Sequence, residues 1–189
     1  NEAIRQEMER DETVIVMGED IAGGGDREDK QDAWGGPMRL TKGLVGDFGR
    51  QRIRDTPISE AGFVGAGVGA AASGLRPVVD LMYVSFFGVC ADQITNNAAK
   101  IHYMFGGQAS FSLVFRASTG GGRSAAAQHS QSPHPMFMNL AGLKLVMPAT
   151  PYDAKGLMKS AIRDNNPVVF FEDQMLAAMT TKQEIPDEE

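Results

Sequence analysis

Residues 57–75 read Pro-Ile-Ser-Glu60-Ala-Gly-Phe-Val-Gly-Ala-Gly-Val-Gly-Ala-Ala-Ala-Ser-Gly-Leu. Glu60 is the only charged residue in a run made mostly of Gly, Ala and Val. A carboxylate in an apolar wall is costly unless something pairs with it. The small residues that follow let a second backbone or a ligand approach closely. Position alone allows two readings. One is a helix-start acid satisfied by backbone N–H groups and the helix dipole. The other is a proton-handling acid whose surroundings disfavour its charge.

His129 is the second candidate. It sits in Gln128-His-Ser-Gln131, a polar stretch that follows Gly120-Gly-Gly122. A loop histidine is either solvent-exposed and inert or an acid–base or substrate-orienting group. His102 and His134 have weaker cases, and no two histidines have metal-ligand spacing. A third candidate is the run Asp164-Asn-Asn166, just past a predicted helix over 151–163. A helix C-terminus leaves carbonyls of partial negative charge, and oxygen ligands suit a hard cation. The plain alternative is a helix stop. Neither Gly65-Ala-Gly67 nor Gly120-Gly-Gly122 reads as a phosphate loop. The Gly65–Gly69 spacing fits a close helix contact across a subunit interface.

Elements must position these groups. Strands are predicted at 13–17, 52–55, 76–82, 111–116, 143–147 and 167–171. Helices are predicted at 40–48, 61–73, 88–103 and 151–163, with an amphipathic start carrying Ala3, Ile4 and Met8. Such alternation implies an α/β fold, a parallel sheet with helices on both faces. Sites in such sheets lie at the carboxyl ends of the strands, so one edge can hold Glu60 and His129 together. Residues 117–141 show no clear pattern, and loops beyond about 12–15 residues are usually functional or disordered.

Composition narrows the classes. The 189 residues suffice for one domain with a sizeable core. A net charge of −6 with no basic block argues against nucleic acid as a partner. The single Cys90 excludes an internal disulfide, fits a reducing compartment such as the cytoplasm, and reads as a small buried apolar residue. The charged first ten residues do not form a signal peptide. Stretches 62–75 and 124–143 are too short or too polar to span a membrane. The chain opens inside a helical pattern. It closes on 183–189, which reads as the start of a linker to a further C-terminal domain after a domain over 1–182.

Taken in order, Gly18-Glu-Asp20, Thr56-Pro-Ile-Ser-Glu60, Gly74-Leu-Arg-Pro77, Asp92-Gln-Ile94, Ala98-Ala-Lys100, Gln128-His-Ser-Gln131 and Pro151-Tyr-Asp-Ala-Lys-Gly-Leu157 carry a resemblance. The tail Ala161-Ile-Arg-Asp-Asn-Asn-Pro167 adds to it. The chain resembles the beta subunit of thiamin-diphosphate-dependent 2-oxo acid and acetoin dehydrogenases, specifically its transketolase-like pyrimidine-binding domain.

The resemblance implies that Glu60 hydrogen-bonds the cofactor's aminopyrimidine ring and exchanges a proton with it. It also implies that Phe86 packs on that ring, that Ile58 lines the pocket, and that His129 lies near the substrate and the incoming lipoyl group. It carries a potassium site onto the backbone carbonyls of Leu113, Ala161, Ile162 and Asp164, with Asn166. The implied partners are an alpha subunit holding the diphosphate and magnesium, a second beta subunit completing a heterotetramer, and a lipoyl-bearing acyltransferase. No Gly-Asp-Gly diphosphate motif occurs in this chain. Ala22-Gly-Gly-Gly25 and Asp32-Ala-Trp-Gly-Gly36 favour acetoin dehydrogenases over pyruvate or branched-chain 2-oxo acid enzymes. A rival from another class is a non-catalytic α/β interaction subunit, which would keep the fold but have no need of Glu60.

Overall fold

A computed structural model describes residues 1–23, 35–178 and 185–186. Most of the two glycine-containing stretches at 22–36, and most of the expected linker at 183–189, lie outside the described residues.

Six strands form one wholly parallel sheet among the described residues: β1 (Val14–Glu19), β2 (Ile53–Thr56), β3 (Arg76–Tyr83), β4 (Val114–Thr119), β5 (Lys144–Val146) and β6 (Val168–Asp173). Their order is β2-β1-β3-β4-β6-β5. The four inner strands, β1, β3, β4 and β6, are buried on both faces, as a covered parallel sheet requires. Val14, Val16, Val78, Val114, Val168 and Phe170 enter one core, under helices α1 (Glu2–Arg10), α2 (Leu44–Phe48) and α6 (Pro151–Arg163). Met17, Val79, Leu81, Phe115, Ala117, Val169 and Phe171 enter the other, under α3 (Glu60–Ala72), α4 (Ala99–Met104) and α5 (His134–Met138). The predicted α/β architecture is the observed one. No helix among the described residues is long and apolar enough to cross a membrane.

The small residues of α3 have a packing reason. A Cβ on Gly67 would stand 2.6 Å from Val79 Cγ2, so only glycine lets α3 lie this close to β3. The helix ends as expected at Gly74, whose φ of +93° is left-handed. The Gly74 N–H reaches the Ala71 carbonyl and the Leu75 N–H reaches the Ala70 carbonyl, a double C-terminal cap.

Two elements differ from expectation. The helix predicted at 88–103 is three pieces: a 3₁₀ segment at Val84–Val89, a π-helical segment at Gln93–Ala98, and α4. Side chains there compete for the helix's own bonds. Thr95 Oγ1 donates to the Ala91 carbonyl at 2.8 Å, and Asn96 and Asn97 both bond the Asp92 carboxylate. The patternless stretch 117–141 contains the end of β4 and the helix α5, and a short helix α7 (Gln174–Ala178) follows β6 directly.

Candidate functional site at the carboxyl edge of the sheet

Because every strand is parallel, all six carboxyl ends share one edge. The chain turns from β2, at the sheet's outer edge, across to β3 on the far side of β1, which makes β1/β3 a switch point of the kind that opens a crevice.

Glu60 is the first residue of α3, delivered by the β2–α3 connection. Its side chain is buried, with 7% exposure. Among the described residues it makes no hydrogen bond and no ion pair, and Ser59 before it supplies no side-chain cap. The helix-start reading of this acid therefore lacks its hydrogen bonds. Thr56 Oγ1, at the end of β2, is buried without a hydrogen-bond partner among the described residues. Buried polar atoms are normally paired. An orphan hydroxyl at the end of β2, four residues before a carboxylate that no described residue pairs, fits a polar ligand that supplies a donor to the acid.

The neighbours register the charge. Burial, and then the Glu60 carboxylate, push the Cys90 thiol up to about 12. Burial, followed by Asp20 and Glu60, raises the Glu19 carboxyl above its ordinary range. No cation is paired with Glu60 among the described residues, so a hydrogen-bond donor is a group this corner can take.

The second half of the site follows β3 and β4. The imidazole of His129 stacks on the Tyr83 ring with centroids 4.2 Å apart and planes 12° off parallel. Phe86 lies 5.3 Å from the same imidazole, centroid to centroid, and 6.4 Å from Tyr83. Ser85 Oγ is 3.4 Å from His129 Nδ1, and Nε2 has no hydrogen-bond partner among the described residues, which leaves it to meet a ligand. The loop is fixed from behind. Buried Gln174 donates to the Gly120 carbonyl at 2.9 Å and to the His129 carbonyl, and Gly120 N–H donates to the Gln131 carbonyl at 2.9 Å.

The structure thus brings Phe86 and His129 together and places Glu60 beside Cys90, whose thiol reaches the Phe86 carbonyl at 3.5 Å. Ile58 stands 77% exposed on the β2–α3 connection. His134 bonds Thr119 Oγ1 at 3.0 Å and sets its ring edge on Phe171, and His102 bonds the Ala109 carbonyl. Both serve packing. Sequence reasoning missed Tyr83 and Ser85, because the predicted strand stops at 82. It quoted Glu19 in a motif without giving it a role.

The oxygen set at Leu113, Ala161, Ile162, Asp164 and Asn166 lies at the opposite, amino edge of the sheet. Arg76 donates to the Ile162 carbonyl at 3.0 Å, the Asp164 carbonyl at 3.2 Å and Asn165 Oδ1 at 2.8 Å. The Leu113 carbonyl accepts from the Val168 N–H, and the Ala161 carbonyl from the Asp164 N–H. Each carbonyl keeps a second lone pair, and the all-oxygen donor set suits a hard monovalent cation.

Comparison with known proteins bears on this geometry. Residues 1–179 match the family described as the transketolase pyrimidine binding domain. The chain is 54% identical to the beta subunit of acetoin:2,6-dichlorophenolindophenol oxidoreductase of Cupriavidus necator, over 99% of this chain and 54% of that one. It is 51% identical to the Bacillus subtilis protein of the same description, over 100% of this chain and 55% of that one. It is 46% identical to the chloroplastic pyruvate dehydrogenase E1 component subunit beta-4 of Oryza sativa subsp. japonica, over 100% of this chain and 44% of that one. The chain spans about half the length of these curated relatives. A solved split-gene transketolase, described as an inactive beta4 tetramer, shares the fold with a TM-score of 0.66 at 16% identity, covering 91% of this chain and 48% of that one.

Proposed function

The chain belongs to the transketolase pyrimidine-binding domain family, and from that premise we propose that it forms the pyrimidine half of a thiamin-diphosphate site in the beta subunit of an acetoin-type dehydrogenase. The observation that carries this reading is Glu60, a buried residue at the carboxyl edge of a parallel sheet whose carboxylate has no partner among the described residues. A purely structural acid in that position would be expected to hold backbone N–H groups. The non-catalytic alternative gives no reason for an unpaired buried acid.

When bound, thiamin diphosphate supplies the carbon centre for cleavage of a carbon–carbon bond next to a carbonyl. The residues of this chain do the rest of the work on this side of the site. A Glu60 carboxylate oxygen holds and returns one proton at a pyrimidine ring nitrogen. Phe86 offers an aromatic face to the ring, and Ile58 lines the mouth of the pocket. His129, steadied by Tyr83 and Ser85, handles a proton at Nε2 near the substrate.

The diphosphate and its magnesium fall to an alpha subunit, because this chain has no Gly-Asp-Gly motif. A second beta subunit completes a heterotetramer, and the acyl unit passes to a lipoyl-bearing acyltransferase. Potassium at the oxygen set near Arg76 would brace the α6–β6 connection. Identities of 54% and 51% to the acetoin proteins, against 46% to a pyruvate protein, support acetoin over pyruvate or branched-chain 2-oxo acids. A cytoplasmic location rests on the single, buried, unpaired Cys90.

Titration calorimetry on the full-length protein tests the division of the site. Thiamin diphosphate should bind the beta chain alone at least about a hundredfold more weakly than the alpha–beta complex, since the charged diphosphate grip is missing. Equally tight binding to the beta chain alone would contradict a shared site.

A further inference from the structure

β3 and β4 pair in register from Val78 opposite Val114 to Asp80 opposite Arg116, then resume with Tyr83 opposite Ser118. Three steps of β3 match two of β4, which is a one-residue bulge. Inserting one residue exchanges the faces of everything beyond it. In a regular strand Tyr83 would share the face of Val79 and Leu81, inside the α3-side core. The bulge instead sets Tyr83 level with Ser118, on the face of Asp80 and Arg116, and its ring meets His129.

The bulge turns at Met82, whose φ of +57° is left-handed. A non-glycine residue is strained in that region. Asp80 supplies what holds it. Its Oδ1 accepts the Met82 N–H at 3.0 Å and Arg116 Nη1 at 3.0 Å. Arg116 is anchored in turn to Glu172 on β6. Asp80 and Arg116 are almost wholly buried, at 1% and 2% exposure. A buried ion pair is weak evidence for stability by itself, and no step of the proposed reaction uses these charges.

We propose that Asp80 is a positioning residue for His129: it holds the β3 bulge closed, the bulge presents Tyr83, and the Tyr83 ring fixes the plane of the imidazole. The importance of His129 rests on the function proposed above; the positioning geometry does not.

The test is the rate at which diethyl pyrocarbonate modifies His129 in the assembled full-length protein, read by peptide mass mapping with His102 as internal standard. Asp80→Ala should raise the His129 rate about fivefold, the population change one hydrogen bond is worth. Adding Met82→Gly should bring it back within about twofold of the parent, because glycine takes a positive φ without strain. Asp80→Asn keeps the acceptor oxygen, so its His129 rate should stay within about twofold while its melting temperature falls with the lost charge. An unchanged His129 rate in folded Asp80→Ala, or a double variant that stays fast, overturns the proposal. If Asp80→Ala does not fold, Asp80→Asn decides, and a His129 rate that climbs in that variant overturns the proposal too. Absence of thiamin-diphosphate-dependent turnover in the parent protein, with this labelling pattern intact, would sink the function and leave the positioning role standing.

Discussion

At the scale of single residues, the site is defined by groups that lack something. Among the described residues Glu60 has no hydrogen-bond donor, Thr56 Oγ1 has no partner, and Cys90 has no base to ionise it. The thiol offers a direct check. Pushed up to about 12 by burial and by Glu60, it is ionised in only about one molecule in ten thousand at pH 8. Ellman's reagent at that pH should leave the folded protein unlabelled and titrate one thiol after denaturation. Fast labelling of the folded protein would contradict the buried, acid-flanked corner. Glu60 and His129 were legible in the sequence because each breaks its local pattern, one as a lone charge among small residues, the other as a polar knot in a glycine-bounded loop. Tyr83 was not legible, since its face depends on a bulge that no apolar periodicity reports.

At the scale of elements, most strands run one to three residues further toward their carboxyl ends than predicted. The added residues include Glu19, Thr56, Tyr83, Ser118, Thr119, Glu172 and Asp173. Apolar periodicity stops where these polar residues begin, yet the parallel ladder continues through them to the site. The functional edge is thus the part of the sheet least readable as strand. The α1–α6 pairing is held differently. Glu7 is wholly buried and accepts from Arg163 through both carboxylate oxygens and from Arg10 at 2.8 Å. Burial opposes its charge, but the two guanidiniums win and hold its carboxyl below the ordinary 4.5. A depressed acid stabilises the fold fully above its unfolded value, and that contribution is lost as pH falls through the folded one. Glu7→Gln should therefore cost about 2 kcal/mol at pH 7, allowing for the half-exposed arginines. Its deficit in denaturant melts should shrink below about pH 4.5. A pH-independent deficit would contradict the charge-based account.

At the scale of the whole molecule, the fold class followed from strand–helix alternation, and the sheet order β2-β1-β3-β4-β6-β5 supplies what alternation leaves open: which strand ends meet. That order converges Glu60, Phe86 and His129 on one edge and sends the oxygen set of the α6 terminus to the other. The edge presents Ile58 bare and Glu60 without a hydrogen-bond partner among the described residues, and on these two features rests the proposal that another chain supplies the opposite wall of the site. The most direct measurement of that claim is turnover by the assembled alpha–beta complex, with thiamin diphosphate and acetoin, when Glu60 is replaced by Gln. Glutamine keeps the shape and removes the transferable proton. The account predicts that turnover falls by about 10²–10⁴-fold while the complex still assembles; turnover within twofold of the parent would contradict it.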